Sequence, residues 1–306
     1  ASTLKTKRLV EEAVLKYTVF GRVSPEQKRL MVKALQKAGH TVAMTGDGVN
    51  DVLALKDADC SVAMASGSEA AAQAAQMVLM DSDFAKMPEV VREGRRVVNN
   101  LERSGSLFLV KNIFSLITAL LVIILRVSYP LIPAQISLIS AFTIGIPAFL
   151  LSQIPNEDLI RGKFIKNVLM RAAPGGLTNI IFVLLIVFVG ESLAIPREQM
   201  ATSCTIALCI IGLMMVYRVS RPMNRYKWLI WGVCAVGLLV SLIFVKPLFG
   251  IAEQMFLESH VLWLMAAMFG WPLLNIMAKF VEWLSVRLAE VWLKTRSLMR
   301  LLEGSK

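Results

Sequence analysis

Between residues 45 and 51 the chain reads Thr-Gly-Asp-Gly-Val-Asn-Asp. Two carboxylates, Asp47 and Asp51, stand four residues apart with the amide of Asn50 between them. Carboxylate oxygens at that spacing suit a hard cation such as Mg²⁺. Gly46 and Gly48 let the backbone turn tightly and come close to a ligand. The apolar stretch Thr41–Met44 just upstream reads as a short strand. The string therefore describes a phosphoryl-transfer site at the carboxyl end of a strand. A lone Asp-x-x-x-Asp would be weak evidence, whereas the full string is specific.

Such a loop needs a frame, and the flanking sequence supplies one. Ser24-Pro25-Glu26-Gln27 is a helix start, with Ser as N-cap, Pro in the first turn and Gln three residues after the cap. That helix is expected to run to Ala38 and stop at Gly39. A helix over Asp51–Asp57, a strand over Ser61–Met64, an Ala-rich helix over Glu69–Ala75 and a strand over Met77–Met80 follow. Short apolar strands alternating with helices predict a parallel sheet covered on both faces. Residues 1–90 thus read as an α/β, Rossmann-like domain, expected to lack its first strand. Residues 91–103 read as a helical stalk.

Beyond the stalk the composition changes. The whole chain of 306 residues is 56% hydrophobic, with mean hydropathy +0.62, too apolar for an ordinary soluble protein. Six spans are expected, near Ser104–Leu125, Gln135–Gln153, Gly175–Leu193, Met200–Val219, Tyr226–Val245 and Val261–Lys279. Each is close to the ~20 residues a helix needs to cross a bilayer. Net charge is +11, and most of the excess lies in the apolar two-thirds. That distribution fits membrane loops and argues against nucleic acid as a partner. Bases gather after span two (Arg161, Lys163, Lys166, Arg171), after span four (Arg218, Arg221, Arg225, Lys227) and in the tail, while the opposite loops hold Arg126, Arg197 and Lys246. By the positive-inside rule the α/β domain and both ends of the segment are cytoplasmic. Residues 280–306 read as an amphipathic helix at the membrane surface. Cys60, Cys204, Cys209 and Cys234 show no metal-ligand spacing and read as buried thiols.

The string at 45–51, Gly21-Arg22-Val23-Ser24-Pro25-Glu26-Gln27-Lys28 upstream, and Val52–Asp59, Gly67-Ser68-Glu69-Ala70-Ala71, Val78–Asp81 and Glu93-Gly94-Arg95 downstream together resemble P-type (E1–E2) cation-transporting ATPases. Gln76 departs from the family's usual Asp, outside the phosphate-site motifs. The resemblance implies a haloacid-dehalogenase-like phosphorylation domain that acts on ATP with Mg²⁺. It implies that Lys28 contacts the phosphoryl oxygens, that Asp47 and Asp51 hold Mg²⁺, that Asn50 hydrogen-bonds the phosphoryl group and that Arg22 meets the nucleotide. Thr45, Gly46 and Gly48 would shape the loop. The family's nucleophile lies in an Asp-Lys-Thr-Gly-Thr motif that does not occur in this chain. The resemblance therefore implies a carboxyl-terminal half, inactive alone, of a plasma-membrane pump whose actuator, nucleotide-binding domain and earlier spans are its partners, with membrane lipid and the transported cation.

Intramembrane polar groups mark the expected transport path. In span one they are Lys111, Asn112, Ser115 and Thr118, with Asn112 and Ser115 on one helical face. In span two they are Ser137, Ser140 and Thr143, followed by Gly145-Ile146-Pro147-Ala148. Gly and Pro inside a span predict an unwound segment with free carbonyls, and this string resembles the family's cation-site helix. Calcium and sodium pumps typically carry Asp before that glycine, whereas this chain has Ile144. Lys111 has two readings, a lysine snorkelling to the headgroups or an internal counter-charge. An acid-poor path with a lysine resembles a mycobacterial, calcium-linked branch. The alternatives are a lipid flippase-type pump and a truncated membrane protein without activity.

Overall fold

The computed structural model describes residues 6–126 and 129–303, the last stretch beyond Trp292 by its backbone and Thr295. It divides into two units, Ala1–Arg92 and Glu93–Lys306.

The first unit alternates helix and strand: α1 (Lys7–Lys16), α2 (Pro25–Lys37), β1 (Ala43–Gly46), α3 (Val52–Asp57), β2 (Cys60–Met64), α4 (Glu69–Ala74) and β3 (Met77–Leu79). The three strands are parallel, in the order β1-β2-β3. Strand β1 begins two residues later than the apolar run suggests and takes in Thr45 and Gly46, which pair with Val62 and Ala63. The reason is at its entry. Val42 donates its N–H to Asp59 Oδ2 at 2.8 Å and accepts from the Asp59 and Cys60 amides, so the ladder proper starts after it. Two small apolar clusters sit beside the sheet, Val32, Val42, Ala54 and Ala58 in one and Leu55, Ala63 and Ala71 in the other.

Helix α2 is fixed at its start by a reciprocal capping box: the Gln27 amide donates to Ser24 Oγ at 3.2 Å, and the Ser24 amide donates to Gln27 Oε1 at 3.0 Å. Farther along, Arg29 and Lys33 both pair with Asp57 on α3, Lys33 at 3.2 Å. The hydrogen bond from Arg29, and then the second cation, hold the Asp57 carboxyl below the usual carboxylate range. A depressed folded-state value means stabilisation that is full above the unfolded value, near 4, and is lost as pH falls through the folded one. Asp57→Asn is therefore expected to loosen α2 at neutral pH and to matter progressively less on acidification below about pH 4. Hydrogen exchange of the α2 amides in the two proteins, corrected for intrinsic rates, checks this; a difference that grows in acid would contradict it.

The second unit is helical: α5 (Met87–Leu125), α6 (Pro133–Ser140), α7 (Ile146–Ser152), α8 (Phe164–Ser192), α9 (Arg197–Ser220), α10 (Arg225–Phe244), the short α11 (Lys246–Phe249) and α12 (Leu257–Glu303). Among the described residues, six helical segments are long and apolar enough to cross a membrane, α6 and α7 together forming one of them. The expected stalk is not a separate element, because α5 runs through residues 91–103 into the first span, and the unit division at Arg92 falls inside it. Span three begins well before Gly175, since Pro174 is accommodated inside α8, where its carbonyl accepts from Thr178 Oγ1 at 2.7 Å. Likewise α12 continues without interruption through the expected tail to Glu303.

Span two differs from its expectation in a way that matters for the path. It is not unwound. Ala141–Gly145 form a π-helical turn between α6 and α7. Pro147 lacks the N–H that an α-helix would send to Thr143, and the wider turn accommodates the gap within a continuous helical span. Inside the bundle, Ile180, Val183, Ile186, Leu208, Ile211 and Ala266 make one buried cluster, and Leu107, Val110, Ala172, Met215 and Leu274 another. Outside it, Leu229, Val236, Leu239, Ile243 and Phe244 of α10 are exposed, an apolar surface of the kind a bilayer covers. Cys204, Cys209 and Cys234 are free thiols buried in the bundle, and Cys60 is a half-buried free thiol on β2.

Candidate functional site

The capping box sets the phase of α2. Lys28 and Val32 are one turn apart on the same face. Val32 is buried in the sheet-side cluster, which brings Lys28 to the carboxyl end of β1. There its Nζ lies 2.5 Å from Oδ1 of Asp51. The Asp51 side chain is only 7% exposed and that of Lys28 34%, so the pair is screened from beneath and open above. Asp51 closes a single 3₁₀ turn over Val49–Asp51 and leads directly into α3. Asp47, at the tip of the strand, is exposed, and so is Asn50. Arg22 is exposed as well, in the turn before α2, with a left-handed φ of 50°.

Two glycines make the loop possible. A methyl group on Gly46 would come within 2.6 Å of Asp51 Cβ. One on Gly67 would come within 2.4 Å of the Asp47 carbonyl oxygen, a backbone atom that cannot swing aside. The close approach of Gly67 has a purpose: the Ser68 amide donates to the Asp47 carbonyl at 2.6 Å. The Gly67-Ser68 step therefore clamps the strand end that bears Asp47 from behind. Those residues stood out as a motif in the sequence, but only the structure shows what they hold. Thr45 and Gly48 complete the loop, both half-buried.

The donor set fits Mg²⁺. That ion accepts one or two carboxylates and takes its other ligands from water and substrate phosphate. Asp47 offers an open carboxylate, and Asp51 lies one turn below it with its Oδ1 accepting from Lys28.

Within the second unit, a cavity of about 40 Å³ lies between α5, span two, α8 and α9, room for a small ion or a water. Lys111, Ser115, Ser140, Thr143 and Ile144 line it. Ser140 and Thr143 each donate their hydroxyl to the carbonyl one turn back, at 2.7 Å, which leaves oxygen lone pairs for another partner. Gly212 of α9 lets Thr143 pack closely, since a methyl there would come within 2.5 Å of Thr143 Cγ2. Pro147 is buried and Gly145 exposed, and neither lines the cavity. Asn112 is exposed and also lies off the cavity wall; it is Lys111 and Ser115, four apart, that share the inward face of α5.

The sequence reading missed Asn179 of α8. It is 6% exposed and lines the cavity, and its Oδ1 has no hydrogen-bond partner among the described residues. A buried amide oxygen without a partner is costly, so this atom is poised for a ligand. An asparagine in mid-span was signal enough.

Together these features define an α/β unit with a lysine–carboxylate cluster at a strand end, followed in the chain by a bundle of helices long and apolar enough to cross a membrane. A family model for haloacid dehalogenase-like hydrolases matches residues 6–59. The chain is 43% identical over 278 residues to the calcium-transporting ATPase CtpE of Mycolicibacterium smegmatis, covering 83% of this chain and 34% of that protein. It is 45% identical over 249 residues to the calcium-transporting ATPase CtpE of Mycobacterium tuberculosis, covering 76% and 31%. It is 40% identical over 225 residues to the probable cation-transporting ATPase exp7 of Streptococcus pneumoniae, covering 70% and 29%. Over most of its length the chain is similar to P-type cation-transporting ATPases, and its six apolar helical segments make it a multi-pass membrane protein. It spans about a third of the length of the curated relatives it matches.

Proposed function

We propose that this chain is the carboxyl-terminal part of an ATP-driven pump that moves a cation, calcium by analogy with its relatives, across the cell membrane. The carrying observation is the convergence at the end of β1: Lys28 held against buried Asp51, with Asp47 open above and its backbone clamped by Ser68. Lys28 neutralises charge on the transferring phosphoryl group, and Asn50 orients it from the loop. Asp51 holds Lys28 in place. Asp47 and Asp51 are the residues that would hold Mg²⁺, which when bound offsets charge on the phosphoryl oxygens. The carboxylate that accepts the phosphoryl group comes from outside this chain, which has no Asp-Lys-Thr-Gly-Thr string. Cation ligands come from Ser115, Ser140, Thr143 and Asn179, and the ammonium of Lys111 on the same wall takes the place of the cation when it leaves. The excess of bases on the loops after spans two and four supports a cytoplasmic position for the α/β unit and both ends of the segment.

The test uses radiolabelled ATP with Mg²⁺ and calcium. The full-length pump is expected to form an acid-stable phosphoprotein in a calcium-dependent way, and the 306-residue chain alone to form none. Labelling of the isolated chain, or a full-length protein indifferent to every cation tried, would remove the basis for this reading.

A further inference from the structure

At one end of the bundle, beside residues 99–103 of α5 and where α8 begins and α7 and α9 finish, lies a second and much larger cavity of about 560 Å³. Five arginines line it, Arg103, Arg161, Arg171, Arg218 and Arg221, against two carboxylates, Glu102 and Asp158. Glu102 is already spent: its side chain is 3% exposed and engages Arg171 at 3.5 Å and the Asn167 amide at 2.8 Å. Asp158 is exposed. Three of the other arginines are held by neutral groups, and Arg161 is exposed. Arg103 is 5% exposed and donates to the Leu151 carbonyl at 3.3 Å. Arg218 donates to the Leu274 carbonyl at 3.3 Å. Arg221 donates to the Tyr217 hydroxyl at 3.3 Å and lies over the rings of Tyr217 and Trp271. Among the described residues, none of these three forms an ion pair with a carboxylate. Asp158 attracts Arg103 from the cavity wall without pairing with it; a guanidinium this buried without a paired carboxylate is expensive to maintain, and a carbonyl satisfies one of its five donors.

We propose that this cavity binds the phosphate of an anionic membrane lipid. Guanidinium forks match phosphate oxygens two at a time, and basic pockets between spanning helices are suited to lipid headgroups. The apolar side of the ligand is provided for as well. Leu159 and Ile160 line the same cavity and are 62% and 41% exposed, an edge along which acyl chains can leave. The proposal rests on the bundle's being in a membrane and is independent of the pump reading.

The experiment is native mass spectrometry of the purified 306-residue chain in detergent, titrated with phosphatidylglycerol, phosphatidylcholine or inorganic phosphate. Phosphatidylglycerol is expected to form adducts at concentrations about tenfold below phosphatidylcholine, the preference that charge-assisted bonds to phosphate should give. The exposed-loop variant Arg161→Gln and the double variant Arg161→Gln/Arg221→Gln are expected to erase that preference stepwise. Arg103→Gln is expected to abolish it, and the two loop variants keep the test informative if Arg103→Gln does not fold. Equal binding of the two lipids, or a preference that survives the double variant, would overturn the proposal. Inorganic phosphate binding as tightly as the lipid, with the same dependence on the arginines, would make the ligand a soluble anion and overturn the lipid assignment.

Discussion

In the proposed full-length pump, Asp47→Asn is expected to lower phosphoenzyme formation by a factor of about a hundred or more, the usual scale for removing one electrostatic element of a catalytic site. The substitution is nearly isosteric, and the structure explains why it should be silent in folding. The Asp47 side chain is exposed, while its position is set by the carbonyl bond from the Ser68 amide and by the pairing of Gly46 with Ala63. What changes is only the carboxylate's charge. Gly67→Val is expected to produce a comparable loss by a different route, since its side chain would force the Asp47 backbone out of place. The two are separable. Raising Mg²⁺ is expected to recover part of the activity of Gly67→Val, where the carboxylate is displaced but present, and none of that of Asp47→Asn. Phosphorylation of Asp47→Asn at the unaltered rate would show that the metal is held elsewhere.

The second large effect concerns the membrane. Asn179→Leu is expected to raise the cation concentration for half-maximal ATPase about tenfold or more, as loss of one oxygen ligand from a small desolvated site should. Ser140→Ala is expected to act in the same direction. Neither change removes a packing partner of the helices on the scale of a large side chain, so the amount of folded protein in the membrane should be preserved. Asn112→Ala is the decisive comparison. If it shifts the half-saturating concentration while Asn179→Leu and Ser140→Ala leave it unchanged, the cation meets the outer face of α5 and the cavity between the spans has another use.

Much of this arrangement is legible in the sequence because local rules decide it. The cap at Ser24, the parallel alternation of strand and helix, and the six apolar runs each depend on residues close together in the chain. The loop at 45–51 is legible because its residue types leave little else for it to be. Other features depend on residues far apart. That Gly67-Ser68 clamps Asp47 is a matter of tertiary approach, and no periodicity announces it. Which polar face of α5 turns inward is set by its neighbours α8 and α9, and spacing alone grouped Ser115 with Asn112 instead of Lys111. The π turn in span two replaced an expected unwound segment, because a Pro and a Gly reveal a break in the hydrogen-bond ladder without revealing how the helix absorbs it. The arginine cavity draws its residues from four separate segments, each unremarkable alone.

A π turn is a helix carrying one residue more than its length requires. Deleting one residue anywhere from Ala141 to Gly145 should therefore let span two close up at much the same length with the segments on either side still in phase, because the wider turn already absorbs the roughly 100° that the extra residue would add to an α-helix. Ser140 and Ile146–Ser152 would keep their faces, and only the side chains of the turn itself would be re-aimed, Thr143 and Ile144 of the cavity wall among them. Insertions and deletions are usually confined to loops. This segment is a place in the middle of a membrane helix where a one-residue change in gene length can be absorbed by the backbone and read out as a change in the lining of the path.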